Sequence, residues 1–214
     1  SDWDQESGLL DPFCGSGTIP IEAAMIALNI PPNDIRERFG FMSWPGYDEE
    51  LYDKIKSEVK SQRKDNPVKI YAMDISLKAM DFTEINIESA KIPDGTIIMK
   101  QLNFFDVNKP MEDVKYLILN PPYDERIDLM DAADFYSKIG DQFKTYFQGC
   151  SAWMISANLS ALKRVGLRPS RKIALQNGPL DAKFMNYQMY SGSKKAKKQV
   201  NLESQESTET PSET

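Results

Sequence analysis

The sequence contains no histidine. Without imidazole, the chain cannot use a Ser–His or Cys–His nucleophile, a histidine-ligated metal or an imidazole general base. Cysteine is scarce as well, since only Cys14 and Cys150 occur and they stand far apart. This scarcity argues against a disulfide framework or a zinc ribbon and favours a reducing compartment. We therefore expect a cytoplasmic protein without a bound metal.

Long apolar runs are also missing. No stretch approaches the roughly 20 apolar residues that a membrane span requires, and no charged-then-apolar secretion signal is present. The 214 residues are enough for one well-packed domain. The formal net charge of −6 gives no strong electrostatic indication of a nucleic-acid partner and does not exclude one. Nothing in the sequence indicates the oligomeric state.

Apolar segments of strand length alternate with segments of helical period along the chain. Strands are predicted at 8–11, 68–73, 96–102, 114–119, 151–157, 172–176 and 184–190. Helices are predicted at 19–29, 48–63, 76–91, 131–147 and 159–163. This alternation predicts an α/β fold with a mostly parallel sheet, covered on both faces, and a C-terminal antiparallel hairpin.

One domain is expected over residues 1–193, with an insertion at about 31–66. Residues 194–214 are polar with hardly any large apolar side chain, and they are predicted to be a disordered tail. The insertion carries an aromatic group that fits either a wall of a binding site or packing on the domain body: Phe39, Phe41, Trp44 and Tyr47. A basic cluster fits either contact with RNA phosphate or a solvated surface: Lys163, Arg164, Arg168, Arg171 and Lys172.

A glycine-containing loop follows the first predicted strand. It reads Asp11-Pro12-Phe13-Cys14-Gly15-Ser16-Gly17-Thr18. Gly15 and Gly17 allow a tight turn that lets a cofactor touch the backbone, and Asp11 is placed to bind a cofactor ammonium group. A plain strand-to-helix turn is the alternative. The spacing fits neither the dinucleotide-binding pattern nor a phosphate loop, which argues against a nicotinamide enzyme or a nucleotide triphosphatase.

Polar residues also follow the next two strands. Asp74 ends the second strand, where a carboxylate commonly binds both ribose hydroxyls. Its alternative role is to favour the start of the next helix together with Ser76. Asn103 and Phe104 follow the third strand and are predicted to contact an adenine, with Asp106 as a second candidate for the polar contact. A solvated loop with one buried phenylalanine is the alternative there.

The loop Asn120-Pro121-Pro122-Tyr123 follows the fourth strand and carries the predicted chemistry. An exocyclic amine on a nucleobase is a poor nucleophile because its lone pair is delocalised into the ring. The Asn120 side-chain oxygen and the Pro121 carbonyl can accept its hydrogens and free that lone pair. The prolines keep these acceptors aimed, and Tyr123 offers a ring for stacking of the base. Together the two loops indicate a methyl donor site and a nitrogen acceptor site; a proline-rich turn is the alternative.

The combination resembles the catalytic domain of the THUMP-associated 23S rRNA guanine-N2 methyltransferases, often labelled N6-adenine-specific DNA methylases. The matching segments are 9–24, 39–44, 72–74, 120–126 and 177–180. The likeness extends from residue 9 to about 195. It implies a Rossmann-like methyltransferase fold, S-adenosylmethionine as donor with S-adenosylhomocysteine as product, and guanine N2 in 23S rRNA, free or in the pre-ribosomal large subunit, as acceptor.

The resemblance also assigns the site residues. The cofactor-binding set is Asp11, Pro12, Cys14, Gly15, Gly17, Thr18, Asp74, Asn103, Phe104 and Asp106. The catalytic set is Asn120, Pro121, Pro122 and Tyr123. Two other functions stay open: adenine-N6 methylation of DNA or RNA, because the same acceptor loop serves either amine, and a catalytically silent module that binds RNA or a partner.

Three departures from the family pattern bear on these expectations. Relatives commonly carry glycine where Asp124 stands and aspartate where Asn103 stands. The THUMP domain and the helix before the first strand are expected to be absent from this chain. In the family those parts bind RNA and help to close the cofactor site. The fragment is therefore expected to bind cofactor weakly and to be inactive by itself.

Overall fold

The structure, a computed structural model, describes residues 1–65, 68–122 and 129–190. Within these ranges the strands are β1 (Gly8–Asp11), β2 (Ile70–Asp74), β3 (Ile97–Gln101), β4 (Val114–Leu119), β5 (Ser151–Ser156), β6 (Arg171–Asn177) and β7 (Leu180–Gln188). The α-helices are α1 (Thr18–Ala27), α2 (Glu49–Ser61), α3 (Leu77–Ser89) and α4 (Leu129–Tyr146). Short 3₁₀ helices lie at Gly40–Ser43, Phe104–Asp106 and Ala161–Val165.

All seven strands form a single sheet in the order β3-β2-β1-β4-β5-β7-β6. β7 runs antiparallel to both of its neighbours, and the other adjacent pairs are parallel. The predicted mostly parallel α/β sheet with a C-terminal antiparallel hairpin is confirmed. The carboxyl ends of β1 to β5 therefore meet at one edge, and the chain order changes direction between β1 and β4, where ligands bind in such sheets.

Neighbouring residues of β1 belong to opposite faces of the sheet. Leu9 packs with Ala24 and Ile70 on the side of α1, whereas Leu10 packs with Leu117 and Tyr136 on the side of α4. All six of these side chains are fully buried. This alternation follows from the two-residue period of a strand, so both faces of the central strands carry apolar residues.

Local sequence signals set the helix starts. α1 begins directly after Gly17, which adopts the left-handed conformation with φ of 83°. The Asp48 carboxylate accepts a hydrogen bond from the Leu51 amide at the start of α2 (2.9 Å). The Ser76 hydroxyl accepts one from the Ala79 amide at the start of α3 (3.3 Å). The Asp48 and Ser76 side chains each satisfy a backbone N–H that the first helical turn leaves free.

Two predicted boundaries near the C-terminal end are wrong. The predicted helix at 159–163 is the 3₁₀ helix Ala161–Val165, because the Asn158 side chain accepts from the Ala161 amide and Gly166 turns left-handed at its end. β7 starts at Leu180 rather than at residue 184, because the hairpin turn needs only Gly178 and Pro179 between the strands. The predicted tail at 194–214 lies outside the described residues.

The aromatic residues of the insertion pack mainly on one another. Phe39 and Phe41 are stacked with ring centroids 5.3 Å apart, and Tyr47 and Tyr52 lie against Phe41 at 6.0 and 5.9 Å. Neither α2 nor the 3₁₀ helix before it contains a buried residue, and Trp44 is 70% exposed. The insertion therefore forms a small apolar cluster of its own.

In the ranges given above, no helix is long and apolar enough to cross a membrane. The same residues contain no group of Cys, Asp or Glu side chains arranged to hold a metal ion.

The backbone of α4 approaches the 3₁₀ helix Ala161–Val165 closely at Gly140. A Cβ at Gly140 would lie 1.8 Å from the Val165 carbonyl oxygen. Gly140→Ala is therefore expected to lower the free energy of unfolding by about 1–3 kcal/mol, although alanine is intrinsically the better helix former. Urea unfolding measures this change. Gly40→Ala is the matched control, because a Cβ there meets nothing within 4 Å; equal loss in both variants would contradict the prediction.

Candidate active site

A cleft of about 540 Å³ opens at the carboxyl edge of the sheet. Its lining residues come from the ends of β1, β2, β3 and β4, from the start of α1 and from α4: Asp11, Pro12, Phe13, Cys14, Gly15, Ser16, Thr18, Ile19, Asp74, Ile75, Asn103, Phe104, Phe105, Asn120, Pro122 and Phe135. The volume is in the range of small-molecule and cofactor sites. The cleft brings together two predicted loops that are about a hundred residues apart in sequence.

The glycine loop after β1 is held from behind by α3. The Thr83 hydroxyl donates to the Gly15 carbonyl (2.9 Å), and the Asn86 amide donates to the Ser16 carbonyl (2.8 Å). A Cβ at Gly17 would lie 2.8 Å from the Thr83 methyl group, whereas one at Gly15 would meet nothing within 4 Å. Gly17 thus serves the close approach to α3 and does not line the cleft, while Gly15 leaves the cleft side of the loop open.

Cys14 lines the cleft, but its thiol is not reactive. Its thiol is buried and lies 3.7 Å from the Thr83 hydroxyl. Burial raises the pKa of Cys14 to about 12, with Asp11 and Asp74 adding to the increase. The group is therefore a neutral thiol at physiological pH, and it packs rather than acts as a nucleophile.

Asp74 connects the donor loop to the start of α3. One carboxylate oxygen accepts from the Gly15 amide (3.0 Å), and the other accepts from the Ser76 amide (2.9 Å). A carboxylate has about four acceptor positions, so both oxygens can still accept from ribose hydroxyls. The two roles considered for Asp74, shaping the helix start and binding ribose, are compatible in this geometry.

Asp74→Ala is expected to weaken the binding of S-adenosylhomocysteine by tenfold or more, about 1.4 kcal/mol. The substitution removes the predicted ribose acceptors and the support of the Gly15 amide together. Titration calorimetry measures the affinity. Asp81→Ala, an exposed carboxylate on α3 outside the cleft, is the control; unchanged affinity in Asp74→Ala would exclude the residue from the site.

Asp11 is a buried carboxyl with an unused acceptor. It is 1% exposed, its Oδ1 accepts from the Phe13 amide (3.1 Å), and its Oδ2 has no hydrogen-bond partner among the described residues. Burial raises the pKa of this carboxyl to about 8, the Phe13 hydrogen bond opposes the increase, and the charge of Asp74 adds to it. A buried acceptor on a cleft is expected to have a partner, and an ammonium group would supply both hydrogens and charge.

At the end of β3 the structure separates the two candidates for an adenine contact. Asn103 lines the cleft, and its side-chain oxygen accepts from the Phe105 amide (3.0 Å). Asp106 is exposed and does not line the cleft. Phe104 is only 1% exposed and forms the back wall. The geometry favours Asn103 over Asp106 for the polar contact with an adenine.

The acceptor loop after β4 reaches the same cleft. Asn120 is exposed and Pro122 is half-buried, and both line the cleft, whereas Pro121 is buried beside them and does not. Tyr123 lies outside the described residues, as do residues 124–126, so its predicted stacking role stays a prediction. The side-chain acceptor of Asn120 therefore borders the same space as the donor loop.

Sequence reasoning missed several residues that shape the cleft. Ile75, Phe105 and Phe135 line it, and Thr83 and Gln142 support its loops from α3 and α4. Ile75 carried a detectable sequence signal, since it is a large apolar residue directly after a strand-ending aspartate. The structure leaves its side chain 65% exposed. The others lie within helices or apolar runs, where the pattern gives no reason to separate them from core residues.

Two further sequence features are not brought to the cleft. The insertion has a separate groove of about 300 Å³, lined partly by Phe39, Phe41 and Tyr52, and shares no residue with the cleft. The basic cluster of 163–172 is exposed and does not line the cleft either. Of its members, Arg171 lies over the Trp153 ring with its guanidinium 5.6 Å from the ring centroid.

The strand order, a glycine loop after β1, a carboxylate after β2 and an Asn-Pro-Pro loop after β4, all on one cleft, define a Rossmann-like methyltransferase domain. The chain belongs to the RMKL-like methyltransferase domain family, UPF0020, which it matches over residues 1–186. The resemblance predicted from the sequence is confirmed at the level of this family, as are the fold and the enzyme class.

Relatives with assigned names agree with this placement. The chain is 35% identical over 198 residues to the ribosomal RNA large subunit methyltransferase K/L of Psychromonas ingrahamii, covering 88% of this chain and 26% of that protein. It is 34% identical over 190 residues to slr0064 of Synechocystis, covering 88% of this chain and 49% of that protein. The chain therefore spans about a quarter to a half of the length of these relatives.

Solved structures share the fold closely. SMU.472, crystallised as a complex with SAH, is 28% identical with a TM-score of 0.80, covering 90% of this chain and 51% of that one. A predicted N6-adenine-specific DNA methylase from Listeria monocytogenes is 27% identical with a TM-score of 0.78, covering 88% of this chain and 48% of that one.

Proposed function

We propose that the domain transfers a methyl group from S-adenosylmethionine to the exocyclic N2 amine of a guanine in 23S rRNA. The observation that carries the proposal is the shared cleft. Asn120 and Pro122 of the acceptor loop and Asp11, Gly15 and Asp74 of the donor site line one continuous space. Donor and acceptor can therefore be held within reach of each other, which methyl transfer requires.

S-adenosylmethionine is the cofactor of the domain, and the residues present fit it. The unpartnered Oδ2 of Asp11 suits its ammonium group, the Asp74 carboxylate suits the ribose hydroxyls, and Asn103 with Phe104 suits the adenine. The open side of Gly15 leaves room for a ligand against the backbone. SAH in the complex of SMU.472 supports the same assignment. When bound, the cofactor supplies an electrophilic methyl group on a sulfonium, which leaves as a thioether.

The chain's own residues prepare the nucleophile. In the proposed reaction the Asn120 side-chain oxygen accepts one hydrogen of the amine. The carbonyl of Pro121, whose ring is buried but which stands in the chain between the lining residues Asn120 and Pro122, accepts the other. The two acceptors draw the amine toward tetrahedral geometry, which frees the nitrogen lone pair. The nitrogen then forms the new N–C bond, and one of its protons passes to water. No imidazole is needed, because the methylated cation is acidic enough to lose its proton to solvent.

Ribosomal RNA as substrate rests on the relatives. The proteins named ribosomal RNA large subunit methyltransferase K/L from Psychromonas ingrahamii and from a Shewanella species share 35% and 33% identity with this chain. The activity proposed is that of the whole protein in the cytoplasm, with 23S rRNA or the pre-ribosomal large subunit as partner. Buried, unpaired Cys14 and Cys150 agree with a reducing compartment.

The second candidate is adenine-N6 methylation. It is favoured by the acceptor loop itself, because Asn120 and Pro121 offer the same two acceptors to either amine, and by the name of the Listeria structure. Guanine is preferred here on the resemblance to the guanine-N2 family. A silent module is less well supported, because the donor and acceptor residues reach the cleft together.

Product mapping separates the three functions. The full-length protein is incubated with 23S rRNA, with assembled large subunits and with duplex DNA in the presence of labelled S-adenosylmethionine, and nucleosides are identified by mass spectrometry. N2-methylguanosine in the RNA is the expected product. N6-methyladenine would overturn the guanine assignment, and no labelled product on any substrate would favour a silent module.

A further inference from the structure

Three phenylalanine rings from distant parts of the chain meet on one wall of the cleft. The Phe135 ring lies 5.6 Å from that of Phe13 and 5.2 Å from that of Phe105, measured between centroids, and Phe13 and Phe105 are 6.5 Å apart. All three are half-buried and line the cleft. We call Phe13, Phe105 and Phe135 the aromatic wall.

The aromatic wall is held in place independently of a ligand. Phe104, which is 1% exposed, packs behind it with its ring 5.6 Å from that of Phe13. The backbone of Phe105 is fixed on both sides, because its amide donates to the Asn103 side chain (3.0 Å) and its carbonyl accepts from Gln142 of α4 (2.7 Å). Such support keeps the rings from turning away when the cleft is filled.

The position of the aromatic wall relates it to the transferred group. Phe13 belongs to the donor loop, Phe105 follows Asn103 at the adenine end, and Phe135 lies on α4, the helix that comes after the acceptor loop. A methyl group in transit must lie between the ribose acceptor Asp74 and the amine acceptor Asn120. The three rings line the same cleft as Asp74 and Asn120.

The charges of the cleft favour a cation. Asp11 and Asp74 are the acidic side chains among the lining residues, and no lysine or arginine of the described chain is among them. The faces of aromatic rings attract a cation through their quadrupole, more strongly when the site is partly desolvated. A ligand that carries positive charge near the rings is therefore held better than a neutral ligand of the same shape.

We propose that the aromatic wall binds the cationic sulfonium of the donor, and that Phe135 makes the cleft favour charged S-adenosylmethionine relative to neutral S-adenosylhomocysteine. The inference rests on the use of this cofactor and not on guanine as acceptor. Once the methyl group has left, the rings lose their cation, so their contribution to binding the product is smaller than their contribution to binding the donor.

The test compares three ligands on two variants by titration calorimetry: S-adenosylmethionine, S-adenosylhomocysteine and sinefungin, which carries an ammonium in place of the sulfonium. Phe135→Leu is expected to weaken the two cationic ligands roughly threefold to thirtyfold more than S-adenosylhomocysteine, the span of a cation–π contact. Phe184→Leu is the matched control. Its ring is half-buried on β7, packs on Trp153 at 4.7 Å and does not line the cleft, so all three affinities should stay within twofold.

A second replacement keeps the shape of the ring and guards against misfolding of the leucine variant. Trifluorophenylalanine at position 135 withdraws electrons from the ring face, and the preference for the cationic ligands should fall by an intermediate amount. Equal weakening of all three ligands would show that the ring only packs, and the proposal would be overturned. Unchanged preference together with weaker binding of an acceptor nucleoside would assign Phe135 to the base instead and overturn it as well. S-adenosylhomocysteine binding itself reports separately on the cofactor assignment.

Discussion

Asn120→Ala is expected to lower methyl transfer by the full-length protein by about a hundredfold to a thousandfold, the effect of removing one preorganised group that stabilises developing charge. The Asn120 side chain is exposed in the cleft. No hydrogen bond in the described part of the chain is known to depend on its side chain, so the fold should not change. Affinity for S-adenosylhomocysteine should stay within about twofold, because the proposed donor contacts come from the loops after β1, β2 and β3.

The separation of turnover from cofactor affinity is what distinguishes an acceptor residue from a structural one. Single-turnover rates on saturating RNA and calorimetric titration of the product give the two values. Asn120→Asp keeps a side-chain oxygen as acceptor and should retain more activity than the alanine variant. Asn108→Ala, an exposed residue outside the cleft, is the control. Parallel loss of affinity and turnover would remove Asn120 from the catalytic role, and an unchanged rate would show that methyl transfer does not use its side chain.

The central strands and their terminal loops could be predicted because their signals are local. Gly8–Asp11 and Val114–Leu119 are short apolar runs that end in a glycine loop and a proline loop, and a parallel sheet places such ends at one edge. Asp11, Asp74 and Asn120 were therefore predictable as neighbours of one cleft. The start of β7 was misplaced because a two-residue turn leaves little polar sequence to mark it.

Residues that support the cleft could not be predicted, because their partners are distant in sequence. Thr83 holds Gly15 across 68 residues, and Gln142 holds Phe105 across 37. Phe135 sits on an amphipathic helix, where one more aromatic residue predicts only a buried face. Such contacts depend on how helices pack on the sheet, which periodicity does not specify.

Cofactor affinity is expected to rise with pH between about 6 and 8 because of Asp11. Burial holds the pKa of this carboxyl at about 8 in the free protein, so below that pH the group is mostly neutral. An ammonium ligand binds the ionised form, and binding at pH 6 must therefore expel a proton. The dissociation constant of S-adenosylhomocysteine should fall by up to about tenfold per pH unit and level off near pH 8.

The raised pKa of Asp11 has the opposite effect on the stability of the fold without cofactor: stability falls as pH rises. The folded carboxyl has a higher pKa than the unfolded reference of 3.8, so the native state binds more protons and this group's contribution to stability falls as pH rises from about 4 to 8. Asp11→Asn keeps the shape without the charge and should flatten both pH profiles. Calorimetry in two buffers of different ionisation enthalpy counts the released proton directly. A cofactor affinity that stays constant from pH 6 to 8 in the unaltered protein would mean that the Asp11 carboxyl does not meet the ammonium group, and the donor would then have to be held from the Asp74 end of the cleft.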